Sequence, residues 1–391
     1  MRTSVRVLDR IAGEAKIVVV HDGEKIVDGY VVLSAPVRGF ERLVLGKNLY
    51  FTVNALMRIC GVCHAAHGIA SAEALEDALS IVPPIQGRRL REAIGLINRV
   101  QSHLLHLALV ARDIASVGLE WVKKRIIPVL ESVNQALARI GGSPTHPSRI
   151  VVGGVHPPPK EAAVREAVRR LREARKNLEQ VVDEVLSSVN DLGEELDRIK
   201  LPSSIGLLAT HPFYGDKYSI DLDRVRVVRY DEYRGDRSKL TSSVKPLALV
   251  ALYADSVVEV GPRARLKRFA GFRGDSLLKL QEARMIETLY SIDRVIEVLE
   301  SLHLNSPLRS PIMVLRSGEG VGVYEAPRGT LIHVASIDSD GRVSSYRIIV
   351  PTMFNILVVE ECLRGAPVRL ADLIVRVYDP CIPCALHYVR C

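Results

Sequence analysis

The chain has 391 residues, 48% of them hydrophobic, so it exceeds one simple core and has the apolar material for a large interior. Its net charge of +8 does not make it a nucleic-acid binder, because the basic residues alternate with Glu at helical pair spacing, as in residues 160–180, and read as a solvated helix face. The first residues lack the hydrophobic region of a secretory signal, and the longest apolar run, residues 245–254, is too short to span a bilayer.

No nucleic acid and no direct membrane span are therefore expected, and the localisation is read as cytoplasmic. Abundant Arg and Glu with few Gln give the composition of a heat-adapted protein, a thermophile. Six cysteines in so long a chain are too few for a disulfide framework.

In chain order, residues 4–50 read as strands and turns, with two β-branched runs around Asp22-Gly23 predicting a hairpin. Beyond Phe51 the apolar residues recur at three- and four-residue steps, notably over 71–82 and 90–117, which predicts helices. Residues 141–160, rich in Pro and Gly, form a connection, and one long amphipathic helix is predicted over 160–199. Residues 201–274 are mixed, with 223–235 as strands and turns; a further helix covers 277–304. The last third returns to strands, alternating around the Ser339-Asp340-Gly341 turn. No internal repeat is present.

The predicted fold class is α+β and mostly helical, a long-helix bundle between β-rich N- and C-terminal regions. The chain divides into 1–55, 56–200, 201–275 and 276–391 as regions of one intertwined unit.

Two Cys-x-x-Cys pairs stand near opposite ends: Cys60 with Cys63, and Cys381 with Cys384. A two-residue gap lets both thiolates of a pair turn to one metal. Three readings remain open on this pattern alone: a structural four-cysteine zinc site, a dithiol redox pair, and a catalytic site for a sulfur-seeking metal such as nickel or iron. Zinc sites of this kind usually close short loops, and a thioredoxin-like pair needs a single Cys-x-x-Cys in a βαβ setting.

The flanks add Arg58 and His67 around the first pair, Asp379 and His387 around the second. With them the sequence resembles the large subunit of nickel–iron hydrogenases, which carries R-x-C-G-x-C-x-x-x-H near its start and D-P-C-x-x-C-x-x-H near its end. "RGFE" (38–41), "EAPRG" (325–329) and "VPTMFN" (350–355) are similar to further elements of that family.

The resemblance implies reversible heterolytic cleavage of dihydrogen at a nickel–iron (NiFe) centre carrying carbon monoxide (CO) and cyanide (CN) ligands. Cys60 and Cys381 would be terminal nickel ligands, Cys63 and Cys384 bridges to iron, and Cys381 the first base. Arg328 would stand over the open coordination position, with Asp379 beside it, and Pro351 and Thr352 beside a cyanide. His67 would be a packing or supporting histidine near the cofactor. Glu41, His387 and the backbone of Ile348 would hold a separate Mg²⁺ (Mg2+) or Fe²⁺. Implied partners are an iron–sulfur small subunit, further electron-transfer subunits and hydrogenase maturation proteins. The branch resembled is the cytoplasmic, multisubunit one, since Ser102 stands where the periplasmic branch often has Asp. His103 and His106 read as core histidines.

The other readings under this resemblance are a hydrogen sensor, a metal-free scaffold subunit of a larger redox complex, and the zinc-stapled protein. Two departures stand out. Relatives often carry a proton-relaying Glu in R-I-E-G-H; here the text is "RIAGE", with Ala12 at that place and Glu14 the nearest carboxylate. Glu14 is therefore expected to take the proton from Cys381, two residues along a strand on the same face and bridged by a water or a local bulge, with His103 and His106 next in line. Relatives' precursors also continue past the final His, and this chain stops at Cys391, so the tail is expected to be already trimmed or never made. The glycines of "SGEGVGVYEAPRG" (317–329) are read as strand turns that deliver Arg328 from within an apolar strand pattern, since no helix follows to make a phosphate loop.

Overall fold

The structure is a computed structural model and describes residues 1–33, 38–235, 249–312 and 316–385. The N-terminal hairpin forms as expected: strands Arg2–Val7, Ala15–His21 and Ile26–Leu33 make an antiparallel sheet in that order. Its Asp-Gly turn is held by Asp22 Oδ1, which accepts from the amides of Glu24 and Lys25, the side-chain mimicry of a turn for which Asp is chosen.

Five long helices form the middle: His64–Leu79, Ile85–Ile114, Ile127–Gly141, Glu161–Ser187 and Leu277–Glu300. Helix His64–Leu79 is buried almost all round, which suits its Ala- and Gly-rich sequence, whereas Glu161–Ser187 buries one stripe and exposes its Arg/Glu face. The single helix predicted over 160–199 is two. Ser187 and Ser188 turn their hydroxyls back onto the carbonyls of Asp183 and Glu184, and Asn190 caps a new helix, Asp191–Arg198, by accepting from Gly193 N. Side chains that compete for the backbone end one helix and start the next. Likewise 223–235 is a strand, Val225–Arg229, followed by a short helix, Tyr230–Arg234, instead of strands and turns alone.

The C-terminal sheet is a meander of Gly318–Ala326, Gly329–Ile337 and Val343–Ile349. Here the glycines do something other than expected. Gly318, Gly320 and Gly322 lie inside the first strand, on one face, and are not turns. A Cβ on each would stand 2.2, 2.1 and 2.0 Å from backbone atoms of Ala78 (the first two) and Ala70. They form a side-chain-free strip against which helix His64–Leu79 lies, its own small residues completing the approach. The turn is Pro327-Arg328, the two residues between paired Ala326 and Gly329. Arg328 thus sits at a hairpin tip, not inside a strand, and is buried there.

A buried ionic network grips that tip. Arg265, on helix Pro262–Phe269, donates to Glu325 Oε2 (2.9 Å) and to the carbonyls of Ala326 and Pro327 (3.0 Å each). Its other hydrogen bonds go to Glu287, which also meets His103 Nε2 at 2.8 Å. Glu325 Oε1 accepts from Thr210 and Thr330, and Arg99 reaches the Glu325 carbonyl at 2.7 Å. Burial opposes the Glu287 charge, but Arg265 and then Arg99 hold its carboxyl well below the usual range.

A carboxyl depressed in the folded state stabilises above its unfolded pKa and loses that contribution as pH falls through the folded one. Glu287→Gln leaves Arg265 buried with only one of its two counter-charges, Glu325. It is expected to cost about 3–5 kcal/mol, read as a lower denaturation midpoint at neutral pH, with the difference from the parent shrinking in strong acid.

Candidate metal centre

The first cysteine pair occupies a tight loop between helices Leu49–Met57 and His64–Leu79. The amides of Val62 and Cys63 point at Cys60 Sγ, at 3.3 and 3.4 Å. Asn98, from the long helix Ile85–Ile114, pins the loop from both sides, accepting from Ala65 N (3.1 Å) and donating to the Val62 carbonyl (3.0 Å). The pair thus sits at a helix N-terminus, where the peptide dipoles favour negative charge.

The second pair follows Asp379, whose backbone adopts a left-handed conformation (φ 54°) that Asp tolerates better than most residues. Cys381 N donates to Thr352 Oγ1 at 3.1 Å, and Thr352 lies with Pro351 in the first turn of the buried helix Pro351–Leu363. Pro at the first position of a helix gives up an amide that would have had no helical partner. On the opposite side Ile382 N donates to the Ala12 carbonyl at 2.9 Å.

These supports bring the four sulfurs together. Cys60 and Cys381 are 3.2 Å apart, Cys63 and Cys384 3.3 Å, and Cys381 and Cys384 3.0 Å; all four lie within 4.8 Å of one another. All are buried and none is in a disulfide. Four such thiols cannot all ionise alone. Hydrogen bonds from Cys381 first, then Cys384 and Cys63, hold the Cys60 thiol well below the usual range; Cys63 is driven up, chiefly by Cys381, and Cys384 by burial and then by Cys381. The group resists sharing more negative charge until a cation enters. Soft, electron-rich sulfurs at this spacing fit a nickel–iron pair, which would be held by all four as thiolates and would offset that repulsion.

Arg328 closes one side. Its Nε donates to the Asp379 carbonyl (2.5 Å), Nη2 to Asp379 Oδ1 (2.8 Å) and Nη1 to Ser102 Oγ (3.2 Å). Burial works against this charge, but Asp379 and then the thiols of Cys381, Cys63 and Cys60 hold it firmly cationic. In turn Arg328, followed by His106, overcomes the burial of Asp379 and keeps its carboxylate well below the usual range.

His67 comes within 3.3 Å of Cys384 Sγ through Nε2. Glu41 and Ile348 also meet, though through the Ile348 amide, which donates to Glu41 Oε1 at 2.7 Å. His387 and Cys391 lie outside the described residues.

Glu14 does not follow its expectation. The segment is a turn, not a strand: Ala12 pairs with Cys381 through its backbone, Gly13 takes φ +100°, and Glu14 is exposed beyond it. The same-face argument that carried Glu14 to Cys381 needs a continuous strand and so lapses. His103 and His106 are buried and hydrogen-bonded, to Glu287 and Gln281 (2.8 Å each). Asn98, Arg265 and Glu287 were not singled out by sequence. Their only signal was a charged or amide side chain inside an apolar helical pattern.

The family profile for nickel-dependent hydrogenases matches residues 38–119 and 275–387, which include both cysteine pairs. The chain is 36% identical to the coenzyme F420 hydrogenase subunit alpha of Methanocaldococcus jannaschii, over 99% of this chain and 94% of that protein. To the sulfhydrogenase 1 subunit alpha of Pyrococcus furiosus it is 30% identical, over 97% and 95%. In fold it is similar to the Ni-Fe-Se hydrogenase of D. vulgaris Hildenborough, with a TM-score of 0.85 at 24% identity, covering 99% of this chain and all of that one.

Gly13 offers a test of the wall behind Cys381. A Cβ there would stand 2.8 Å from Pro383 Cδ and 2.9 Å from Ile382 Cβ, on a backbone that L side chains rarely adopt. Gly13→Ala is expected to cost about 1–3 kcal/mol and to lower the metal bound per chain, measured by elemental analysis of the folded fraction; full metal content would mean the turn does not set the position of Cys381.

Proposed function

Because the chain belongs to the nickel-dependent hydrogenase family, as a catalytic large subunit, we propose that its four-cysteine cluster is where dihydrogen is reversibly and heterolytically cleaved. The observation that carries this reading is the meeting of four buried thiols, none of them in a disulfide, from opposite ends of the chain beside a buried guanidinium. A structural zinc site has no use for that fixed cation.

Cys60 and Cys381 would hold nickel as terminal ligands, and Cys63 and Cys384 would be shared with an iron carrying carbon monoxide and cyanide. When bound, that metal pair supplies the Lewis acidity that polarises dihydrogen and the sink for its electrons. The chain's own contribution is position, exclusion of water and a base. Cys381 Sγ takes the first proton, and the second leaves to solvent. Thr352 Oγ1 and the Ala12 carbonyl fix the backbone on either side of that sulfur, so the base does not drift from the reacting molecule. Arg328 presents a rigid fork of donors, held by Asp379, toward the space above the thiols. Pro351 and Thr352 would line the iron side, and His67 supports Cys384.

Glu41, the backbone carbonyl of Ile348 and His387 would hold the separate Mg²⁺ or Fe²⁺, a hard cation that oxygen donors suit. The electrons leave to an iron–sulfur small subunit. The sequence has six cysteines; four are in the cluster and Cys362 is buried against the Tyr378 hydroxyl, which leaves Cys391 alone, too few thiols for an iron–sulfur cluster of the large subunit's own. Further electron-transfer subunits and maturation proteins complete the expected assembly. Free thiols, with no disulfide among the described residues, suit a reducing cytoplasm, and no described helix is long and apolar enough to cross a membrane.

Two substitutions test the assignment. Any of Cys60, Cys63, Cys381 or Cys384 changed to Ser is expected to abolish nickel retention and hydrogen–deuterium exchange; a variant that keeps both would remove that residue from the ligand set. Arg328→Lys keeps the charge but loses the planar fork, and turnover is expected to fall roughly 10²-fold or more with nickel and iron content unchanged.

A further inference from the structure

A line of hydrogen bonds runs from Cys384 through His67 to two residues that the chemistry above does not use. His67 Nε2 is 3.3 Å from Cys384 Sγ, His67 Nδ1 is 3.1 Å from His333 Nε2, and His333 Nδ1 is 2.9 Å from the Tyr346 hydroxyl. All three side chains are buried, His333 completely. The rings are packed in sequence, with centroids 5.3 Å apart for His67 and His333 and 5.6 Å for His333 and Tyr346, the latter edge-on at 87°.

The fold assembles this line through the glycine strip. His333 lies opposite Gly322 in the sheet, so its side chain rises from the same face, toward helix His64–Leu79. Gly322 lets that helix approach until Ala70 O would touch a Cβ, and His67 stands one turn before Ala70. Tyr346 pairs with Ala335, two places along from His333, which makes it the diagonal neighbour on that face.

The directions of these hydrogen bonds are coupled. A metal-bound cysteine is a thiolate and can only accept. His67 Nε2 must then carry its proton, and a neutral imidazole with Nε2–H has a bare Nδ1 that can only accept. That acceptor calls for Nε2–H on His333, whose Nδ1 is then bare and receives the Tyr346 O–H. Each donor points toward the sulfur, and reversing any one of them breaks the next.

We infer that His333 and Tyr346 are positioning residues that lock His67 in its Nε2–H tautomer, so that it donates to the Cys384 thiolate and withdraws electron density from the metals that sulfur bridges. The proposal rests on the reading of function above for the identity of those metals. Its geometry is the chain's own.

The test uses metal-loaded protein, labelled with ¹⁵N-histidine, and the infrared carbon monoxide band of the centre. In the parent, His67 is expected to show a protonated Nε2 and a bare Nδ1. His333→Leu removes the donor: His67 should populate both tautomers, and the band should move to lower wavenumber as the sulfur becomes a stronger donor. His333→Gln keeps an N–H where Nε2 was and should leave tautomer and band near the parent's. Tyr346→Phe, which deletes one hydroxyl, should shift the band in the same direction as Leu but less.

An unshifted band in both the Leu and Phe variants would overturn the proposal, as would a Gln variant that shifts as far as Leu, or a parent His67 protonated on Nδ1. If the Leu variant does not fold, the Phe variant decides. A parent without nickel or iron would overturn the reading of function instead, and the tautomer of His67 on whatever metal the thiolates hold would still decide this one.

Discussion

Holding Cys60 against Cys381 across 321 residues, with both sulfurs out of water, is the constraint around which the rest of the chain is built. Closing so long a loop is entropically unfavourable, and crowding four thiols in a buried space is electrostatically unfavourable until a cation arrives. Neither cost is met locally, since the first cysteine pair lies in a short irregular loop and the second at the start of a one-turn helix, Ile382–Ala385. It is met by rigid elements pressed on them from several directions: helix His64–Leu79 on its glycine strip, helix Pro351–Leu363 offering Thr352, Asn98 clamping the first loop, and the Gly13 turn behind the second.

The charges follow the same logic. Arg328 is buried at a hairpin tip, a place where arginine normally reaches into solvent. It stays because Asp379 and the thiols in front of it supply negative charge, and because Arg265 fixes the carbonyls of Ala326 and Pro327 just before it. Arg265 is itself held by Glu287 and Glu325. Two layers of buried ion pairs therefore stand between the helices and the site. Such pairs add little net stability over apolar packing but are costly to break, so they define one position for the guanidinium.

Much of this was legible in the sequence because it depends on local pattern or fixed spacing. The Asp22-Gly23 hairpin, the long helices and the Cys-x-x-Cys units with Asp379 and His67 are of that kind. What was not legible depends on partners distant in the chain. Gly318, Gly320 and Gly322 look like turn residues until the backbone of Ala70, Ala74 and Ala78 is laid against them. The break after Ser187 is invisible to a periodicity that continues through it. Glu14 was tied to Cys381 by assuming a strand where Gly13 makes a turn. His333 and Tyr346 sit in an ordinary alternating strand pattern, and His67, 266 residues away from His333, is what gives them meaning.

The most direct test of the central claim is the metal content of the purified subunit with its iron–sulfur partner, taken together with its exchange of hydrogen gas against heavy water. The account predicts one nickel per subunit, with one iron beyond the partner's clusters, or two where the separate site holds Fe²⁺, and formation of HD. Zinc in the four-cysteine site with no exchange would contradict it.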